Sequence, residues 1–159
     1  KYNFKLFDIG KLDKNNNLLV FGRSDDVMNL RGHRIGSGEI EDQILKINTI
    51  KEVCAISCKD EFEGEKVVIF FSKKKKSKTK DLINEINYKI INYFGNWSKP
   101  KFIIELSQLP KTRSGKILRR ILRVLVNDPK KKNIGDVSTI YDKNIIKEIR
   151  SKILKINYD

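Results

Sequence analysis

Two apolar runs constrain the fold more than anything else in this chain. Val53, Cys54, Ala55, Ile56 and Ser57 make one, and Val67, Val68, Ile69, Phe70 and Phe71 the other. Between them lies Asp60-Glu61-Phe62-Glu63-Gly64-Glu65, whose Asp and Gly suit a turn. Runs this short, rich in β-branched and aromatic residues and bounded by polar turn residues, read as buried strands. They predict strands over about 50–60 and 66–72, and residues 102–105 (Phe102, Ile103, Ile104, Glu105) supply a third.

Helical periodicity surrounds these strands. Leu82, Ile83, Ile86, Ile90, Ile91 and Phe94 recur at helical spacing until Gly95 stops them. Ile117, Leu118, Ile121, Leu122 and Leu125 do the same, as do Ile145, Ile146, Ile149, Ile153 and Leu154. A shorter helix is signalled by Ser37 as N-cap, with Glu39 and Glu41 near the positive end of the dipole and Ile40, Ile44 and Leu45 on one face. The expectation is an α+β domain: a small, mostly antiparallel three-stranded sheet packed by helices near 38–47, 80–94, 117–126 and 142–156. N-terminal β-hairpins precede it. The first has arms around Phe4, Leu6, Phe7 and Ile9 and around Leu18 to Phe21, with the Asn-rich 13–17 as its tip. A second is expected from the short runs Val27 to Leu30 and His33 to Ile35.

Length and charge set limits without deciding function. A chain of 159 residues with 39% apolar content suffices for one small domain. No stretch approaches the roughly 20 apolar residues of a membrane helix. Residue 1 is Lys and no charged-then-apolar leader follows, so a piece of a longer chain without a signal peptide is expected. Cys54 and Cys58 are too few for a disulfide framework and lack the partners of a zinc quartet, so they are expected to be buried free thiols in a reducing compartment. The net charge of +14, from 34 basic and 20 acidic residues, fits nucleic acid, acidic membranes or phosphorylated small molecules equally well. Much of the excess sits in the lysine runs 73–76 and 130–132, which read as solvated loops.

The most informative stretch is Leu109-Pro110-Lys111-Thr112-Arg113-Ser114-Gly115-Lys116 running into Ile117-Leu118-Arg119-Arg120-Ile121-Leu122-Arg123. Pro110 ends whatever strand precedes it. Thr112, Ser114 and Gly115 are turn and cap residues, which puts Lys116 at a loop-to-helix junction. From the residues alone this is either a basic surface turn beside an amphipathic helix or a lysine presented to a substrate.

Residues 109–123 resemble the lysine-bearing signature in the C-terminal domain of AMP-forming acyl-CoA synthetases, the superfamily of luciferases and peptide-synthetase adenylation domains. Two further segments resemble that family in the same order. Phe21-Gly22-Arg23-Ser24-Asp25-Asp26 through Arg31-Gly32-His33-Arg34 is similar to its hinge and glycine turn, and Ile134-Gly135-Asp136-Val137-Ser138-Thr139-Ile140 to a segment of its acetyl- and propionyl-CoA synthetases. The resemblance covers about residues 6–142. It implies that Lys116 bridges the carboxylate substrate and the ATP α-phosphate, and that the same lysine is open to an acetyltransferase and deacetylase. It further implies that Asp8 accepts from the ribose hydroxyls, that Arg23 reaches the nucleotide and Arg34 the departing pyrophosphate, and that Asp25 is the hinge. After rotation Gly32 would lie against the CoA pantetheine arm. His33 is assigned a packing role.

Three departures from the family pattern are visible. Phe7 precedes Asp8 where the family has Gly. Arg31 stands where a Ser touches CoA, although a cation could still meet a CoA phosphate. Ile91 takes the place of a CoA-phosphate Arg, for which Lys89 is the nearest basic substitute.

The resemblance thus implies residues 1–22 as the end of an N-terminal adenylation domain, 23–26 as hinge and 27–159 as a mobile C-terminal domain. The reaction implied is acetate, ATP and CoA to acetyl-CoA, AMP and pyrophosphate, with Mg²⁺ accompanying ATP and no metal held by this domain. Its partner would be its own N-terminal domain, in the cytoplasm or also the nucleus, with no membrane. The alternatives are propionate or another short acid, and, from a different class, a basic nucleic-acid-binding module. The aromatics are placed mostly as core rather than among the basic residues, which disfavours that module.

Overall fold

The structure, a computed structural model, describes residues 8–74 and 78–156. Phe4, Leu6 and Phe7 of the first hairpin arm and Lys75 and Lys76 of the first lysine run lie outside the described residues, as do the side chains of Asp8, Ile9 and Asp25.

The two apolar runs are the long central strands, here β5 (Ile50–Asp60) and β6 (Gly64–Lys73), paired antiparallel with Cys54 opposite Phe70 and Ile56 opposite Val68. Asp60 closes their turn: its Oδ1 accepts the N–H groups of Phe62 and Glu63, and Gly64 leaves it at φ +76°. The third strand, β7 (Phe102–Glu105), lies on the other side of β6 and is parallel to it over four residue pairs. A parallel partner needs a crossover, which the helix α2 (Thr79–Phe94) supplies. The antiparallel pairing is the longer of the two, so the sheet is mostly antiparallel.

Side-chain alternation along β5 and β6 explains why those runs are apolar without a break. Cys54, Ile56, Val68 and Phe70 face one layer, formed with α3 (Arg119–Asn127) and α4 (Asn144–Ile156) through Ile121, Leu122, Leu125, Ile145, Ile149 and Ile153. Val53, Ala55, Val67, Ile69 and Phe71 face the opposite layer. It contains α1 (Ser37–Leu45), α2 and the hairpin of β3 (Val27–Leu30) with β4 (His33–Gly36). Both cysteines are buried free thiols, and burial pushes Cys54 up to about 12. The first hairpin, β1 (Asp8–Leu12) with β2 (Leu18–Arg23), turns through the Asn-rich tip, where Asp13 Oδ1 accepts the N–H of Asn15 at 2.8 Å and of Asn17 at 2.9 Å.

Three boundaries differ from expectation. The N-cap of α1 is Gly36 rather than Ser37: Ser37 is the first helical residue, and Glu39 Oε1 reaches back to accept the Gly36 N–H at 3.0 Å. Helix α3 starts at Arg119, not Ile117, because Ile117 is still paired with Lys111 in a short antiparallel bridge. The last helix starts at Asn144, whose N–H is taken by Asp142 Oδ1 at 2.9 Å, so Asp142 caps it and Thr139 lies before it in a turn closed by the Ile140 N–H on the Val137 carbonyl at 3.2 Å.

Candidate active site

Lys116 is presented by a tight hairpin held by several backbone hydrogen bonds. Leu109 anchors the entry in the core, and Lys111 Nζ pairs with Glu52 of β5. The Thr112 N–H donates to the Lys116 carbonyl at 2.9 Å, and Thr112 Oγ1 accepts the Lys116 N–H at 3.0 Å. Gly115 turns the chain at φ +86°, with its N–H on the Thr112 carbonyl at 2.9 Å. A side chain there would have to adopt left-handed backbone angles, so the glycine is required by the turn. Lys116 therefore leaves the return arm of a hairpin rather than the first turn of a helix. Its side chain is exposed and has no hydrogen-bond or ion-pair partner among the described residues.

The outer face of this hairpin is also paired. Thr112 bridges Ile140, the Arg113 N–H donates to the Thr139 carbonyl at 3.2 Å, and the Tyr141 N–H to the Lys111 carbonyl at 2.9 Å.

The glycine turn lies on the other layer. Leu30 pairs with His33, leaving Arg31 (φ +52°) and Gly32 (φ +86°) as a two-residue turn with both φ positive. Space around the position of a Gly32 Cβ is open. His33 stacks on Trp97 with ring centroids 4.3 Å apart and planes 14° from parallel, in keeping with its packing role. Arg31 folds back onto the β5–β6 turn, where Nε and Nη2 bind the Glu63 carboxylate at 2.5 and 2.6 Å. Arg31 and Lys66 together hold the Glu63 carboxyl down at about 2. Arg34, opposite Asn29, is exposed and has no ion-pair partner among the described residues.

The structure thus separates the two groups of candidate residues. Leu109, Ile117 and Leu118, which carry Lys116, pack in the α3/α4 layer, whereas Leu30 and Ile35, which flank Gly32, pack in the α1/α2 layer. Asp8 and Arg23 are brought together as register partners at the open end of the first hairpin. Asp25 lies in a 3₁₀ turn, Ser24–Asp26, between that hairpin and β3. Lys89 is half-buried on α2. It lies two residues from Ile91, about 200° away around the helix, so it addresses a different side of α2.

Sequence reading missed a charge cluster beside the Ser24–Asp26 turn. Arg123 Nη2 binds Asp26 Oδ1 at 2.5 Å, and Arg119 Nη2 binds both Glu41 oxygens at 2.7 and 2.6 Å. Glu41 Oε1 also accepts the Ala55 N–H at 2.8 Å, filling a donor on the free edge of β5. Burial raises the Glu41 carboxyl above its ordinary value, against the pull of Ala55 and Arg119. The available signal was the four-residue spacing of Arg119 and Arg123, which puts both guanidiniums on one face of α3. No group of three or more His, Cys, Asp or Glu among the described residues could hold a metal.

Comparison with known proteins agrees with this geometry. The family described as "AMP-binding enzyme C-terminal domain" matches residues 39–116. A propionate–CoA ligase of Salmonella typhimurium is 35% identical over 158 residues, covering 94% of this chain and 24% of that enzyme. An acetyl-coenzyme A synthetase of Streptomyces coelicolor is 33% identical over 147 residues, covering 92% and 22%. Among solved structures, the anthranilate CoA ligase AuaEII in complex with anthranoyl-AMP superposes with a TM-score of 0.66 at 26% identity, over 76% of this chain and 24% of that one. The fold is that of an adenylate-forming acyl-CoA ligase C-terminal domain. The chain belongs to the AMP-binding enzyme C-terminal domain family, and it spans a quarter or less of the length of the curated relatives it matches.

Proposed function

We propose that this chain is the mobile C-terminal domain of an AMP-forming acetyl-CoA synthetase. The observation that carries the reading is the placement of Lys116 and Gly32 against opposite layers of one sheet. A domain that turns about residues 23–26 can then offer one face for adenylation and the other for thioester formation.

In the first half-reaction an acetate oxygen attacks the α-phosphorus of ATP and pyrophosphate leaves. The Lys116 ammonium, without a partner among the described residues, offsets the negative charge gathered on the carboxylate and α-phosphate, and its fixed hairpin avoids reorganisation at that moment. Asp8 holds the ribose hydroxyls, Arg23 the nucleotide and Arg34 the departing pyrophosphate, with Mg²⁺ travelling on the ATP. Asp25 absorbs the rotation. In the second half-reaction the CoA thiol attacks the acyl carbon and AMP leaves, with pantetheine passing over the bare backbone of Gly32. Lys89 meets CoA phosphate from its own side of α2, and Arg31 can do so only by leaving Glu63. The exposed lysine is also open to acetylation, and the two free thiols suit a reducing, cytoplasmic or nuclear compartment.

Propionate is the second substrate reading, favoured by the Salmonella relative. The test uses the full-length enzyme that carries this domain. Acid-dependent ATP–pyrophosphate exchange should run faster with acetate than with propionate. Gly32→Met should leave exchange in place and block thioester formation from supplied acetyl-AMP and CoA. Loss of both half-reactions, or of neither, would refute the two-face reading.

A further inference from the structure

The segment after α3 has been given no role in the proposed reaction. Residues 128–133 lead to Ile134, which is buried beside α3 and α4. There the chain wraps around the Arg120 guanidinium. Nη1 donates to the Ile134 carbonyl at 3.1 Å and Nη2 to the Asp136 carbonyl at 3.2 Å. Gly135, between them, has φ +86°, and a Cβ there would lie 1.9 Å from Arg120 Nη1. A side chain at 135 would be strained at that backbone angle and would push the guanidinium out of its clasp, and a planar fork suits two carbonyls two residues apart. Asn133 Oδ1 takes the Gly135 N–H at 2.9 Å, and Asp136 Oδ1 takes the Ser138 N–H at 2.8 Å. Ile140 then enters the core while Thr139, Ile140 and Tyr141 run along Lys111, Thr112 and Arg113.

Thr112 is therefore bonded on both sides, through the Lys116 carbonyl on one and a bridge to Ile140 on the other. One neighbour is the Lys116 arm and the other is the 139–141 segment. Without that outer neighbour the lysine hairpin would be a two-stranded ribbon, which is marginal in water.

We propose that residues 134–141 are a brace that positions Lys116, with Arg120 as the positioning residue that clasps it. The proposal rests on the reading of Lys116 as the adenylation lysine. Arg120 touches no substrate; it sets the 134–136 turn, the turn sets the 139–141 segment, and that segment fixes the outer edge of the hairpin.

Arg150 supplies a matched control. It clasps the neighbouring carbonyls of Pro129 and Lys131 in the same manner, but that loop makes no contact with the lysine hairpin among the hydrogen bonds of the described residues. The test compares Arg120→Ala, Arg120→Lys, Gly135→Ala and Arg150→Ala in the full-length enzyme, with Lys116→Ala beside them. For Arg120→Ala and Gly135→Ala, acid-dependent exchange should fall about tenfold to a hundredfold, the cost of a slightly misplaced catalytic group. The change should be in kcat, with thioester formation from acetyl-AMP kept. Arg120→Lys should not restore exchange, and Arg150→Ala should leave both half-reactions as they were. Amide hydrogen exchange supplies a readout independent of activity: the Arg113 and Tyr141 N–H groups should lose protection in Arg120→Ala and keep it in Arg150→Ala.

The brace is overturned if Arg120→Ala leaves exchange intact while Lys116→Ala abolishes it. It is equally overturned if both half-reactions fall together, or if the Arg113 and Tyr141 amides stay protected. Survival of exchange in Lys116→Ala would instead remove the catalytic role of the lysine, a failure the amide measurement separates from failure of the brace.

Discussion

Removing Arg119 should expose how much the charge cluster beside the Ser24–Asp26 turn contributes. Its side chain is 25% exposed and that of Glu41 13%, and the two share two close contacts. Breaking a fully buried pair by deleting one partner costs about 3–5 kcal/mol; the partial exposure of Arg119 brings the expectation for Arg119→Ala to about 2–3 kcal/mol. For a domain of this size that is a Tm lowered by roughly 4–12 °C. The loss should depend on pH with a definite sign. The Glu41 carboxyl is raised in the fold by burial, so between its ordinary and its folded value the native state holds more protons and stability falls as pH rises. Arg119 opposes that rise; without it the window extends upward. The deficit of Arg119→Ala should therefore be smaller near the ordinary carboxylate range than at a pH well above it. Adding Glu41→Gln, which removes the unpaired charge and retains an acceptor for the Ala55 N–H, should recover part of it. Thermal unfolding at the two pH values checks this. A cost below about 0.5 kcal/mol, as for an ordinary surface change, or the same cost at both pH values, would refute the reasoning.

Three other outcomes follow from the packing. Phe70→Ala, in the fully buried side chain facing α3 and α4, should cost about 3–5 kcal/mol in urea unfolding. The Glu63 carboxyl should titrate at about 2 by NMR, and in Arg31→Ala it should move up toward the ordinary carboxylate range while Lys66 still holds it partly down. Cys54 and Cys58, buried and with thiols raised by desolvation, should resist alkylation near neutral pH until the domain unfolds, and modification of native protein would contradict their burial.

The core was legible because burial on both faces leaves a plain mark: β5 and β6 have no polar alternation, and the turn between them followed from its Asp and Gly, although β6 begins at Gly64, two residues before the expected 66. The four helices followed from their periodicity, and both hairpins from Asn and Gly at the turns. Helix starts were less legible. Ser37 is a better cap by residue type than Gly36, but the Glu39 carboxylate reaches the Gly36 N–H and sets the boundary there. Pairing of Ile117 with Lys111, a contact within the fold rather than a local preference, delays α3. The parallel approach of β7 depends on how α2 crosses the sheet, and four residues carry no mark of strand direction. At the site, Lys116 and Gly32 could be named from their motifs, but not that they attach to opposite layers. Arg120, Arg119 and Glu41 were invisible because their partners are 14 to 78 residues away.

The most direct test is Lys116→Ala in the full-length enzyme, assayed separately for acetate-dependent ATP–pyrophosphate exchange and for thioester formation from acetyl-AMP and CoA. If Lys116 offsets transition-state charge from a fixed hairpin, exchange should fall about a hundredfold or more while thioester formation is largely kept. Undiminished exchange would contradict that role and leave the hairpin as a basic surface turn.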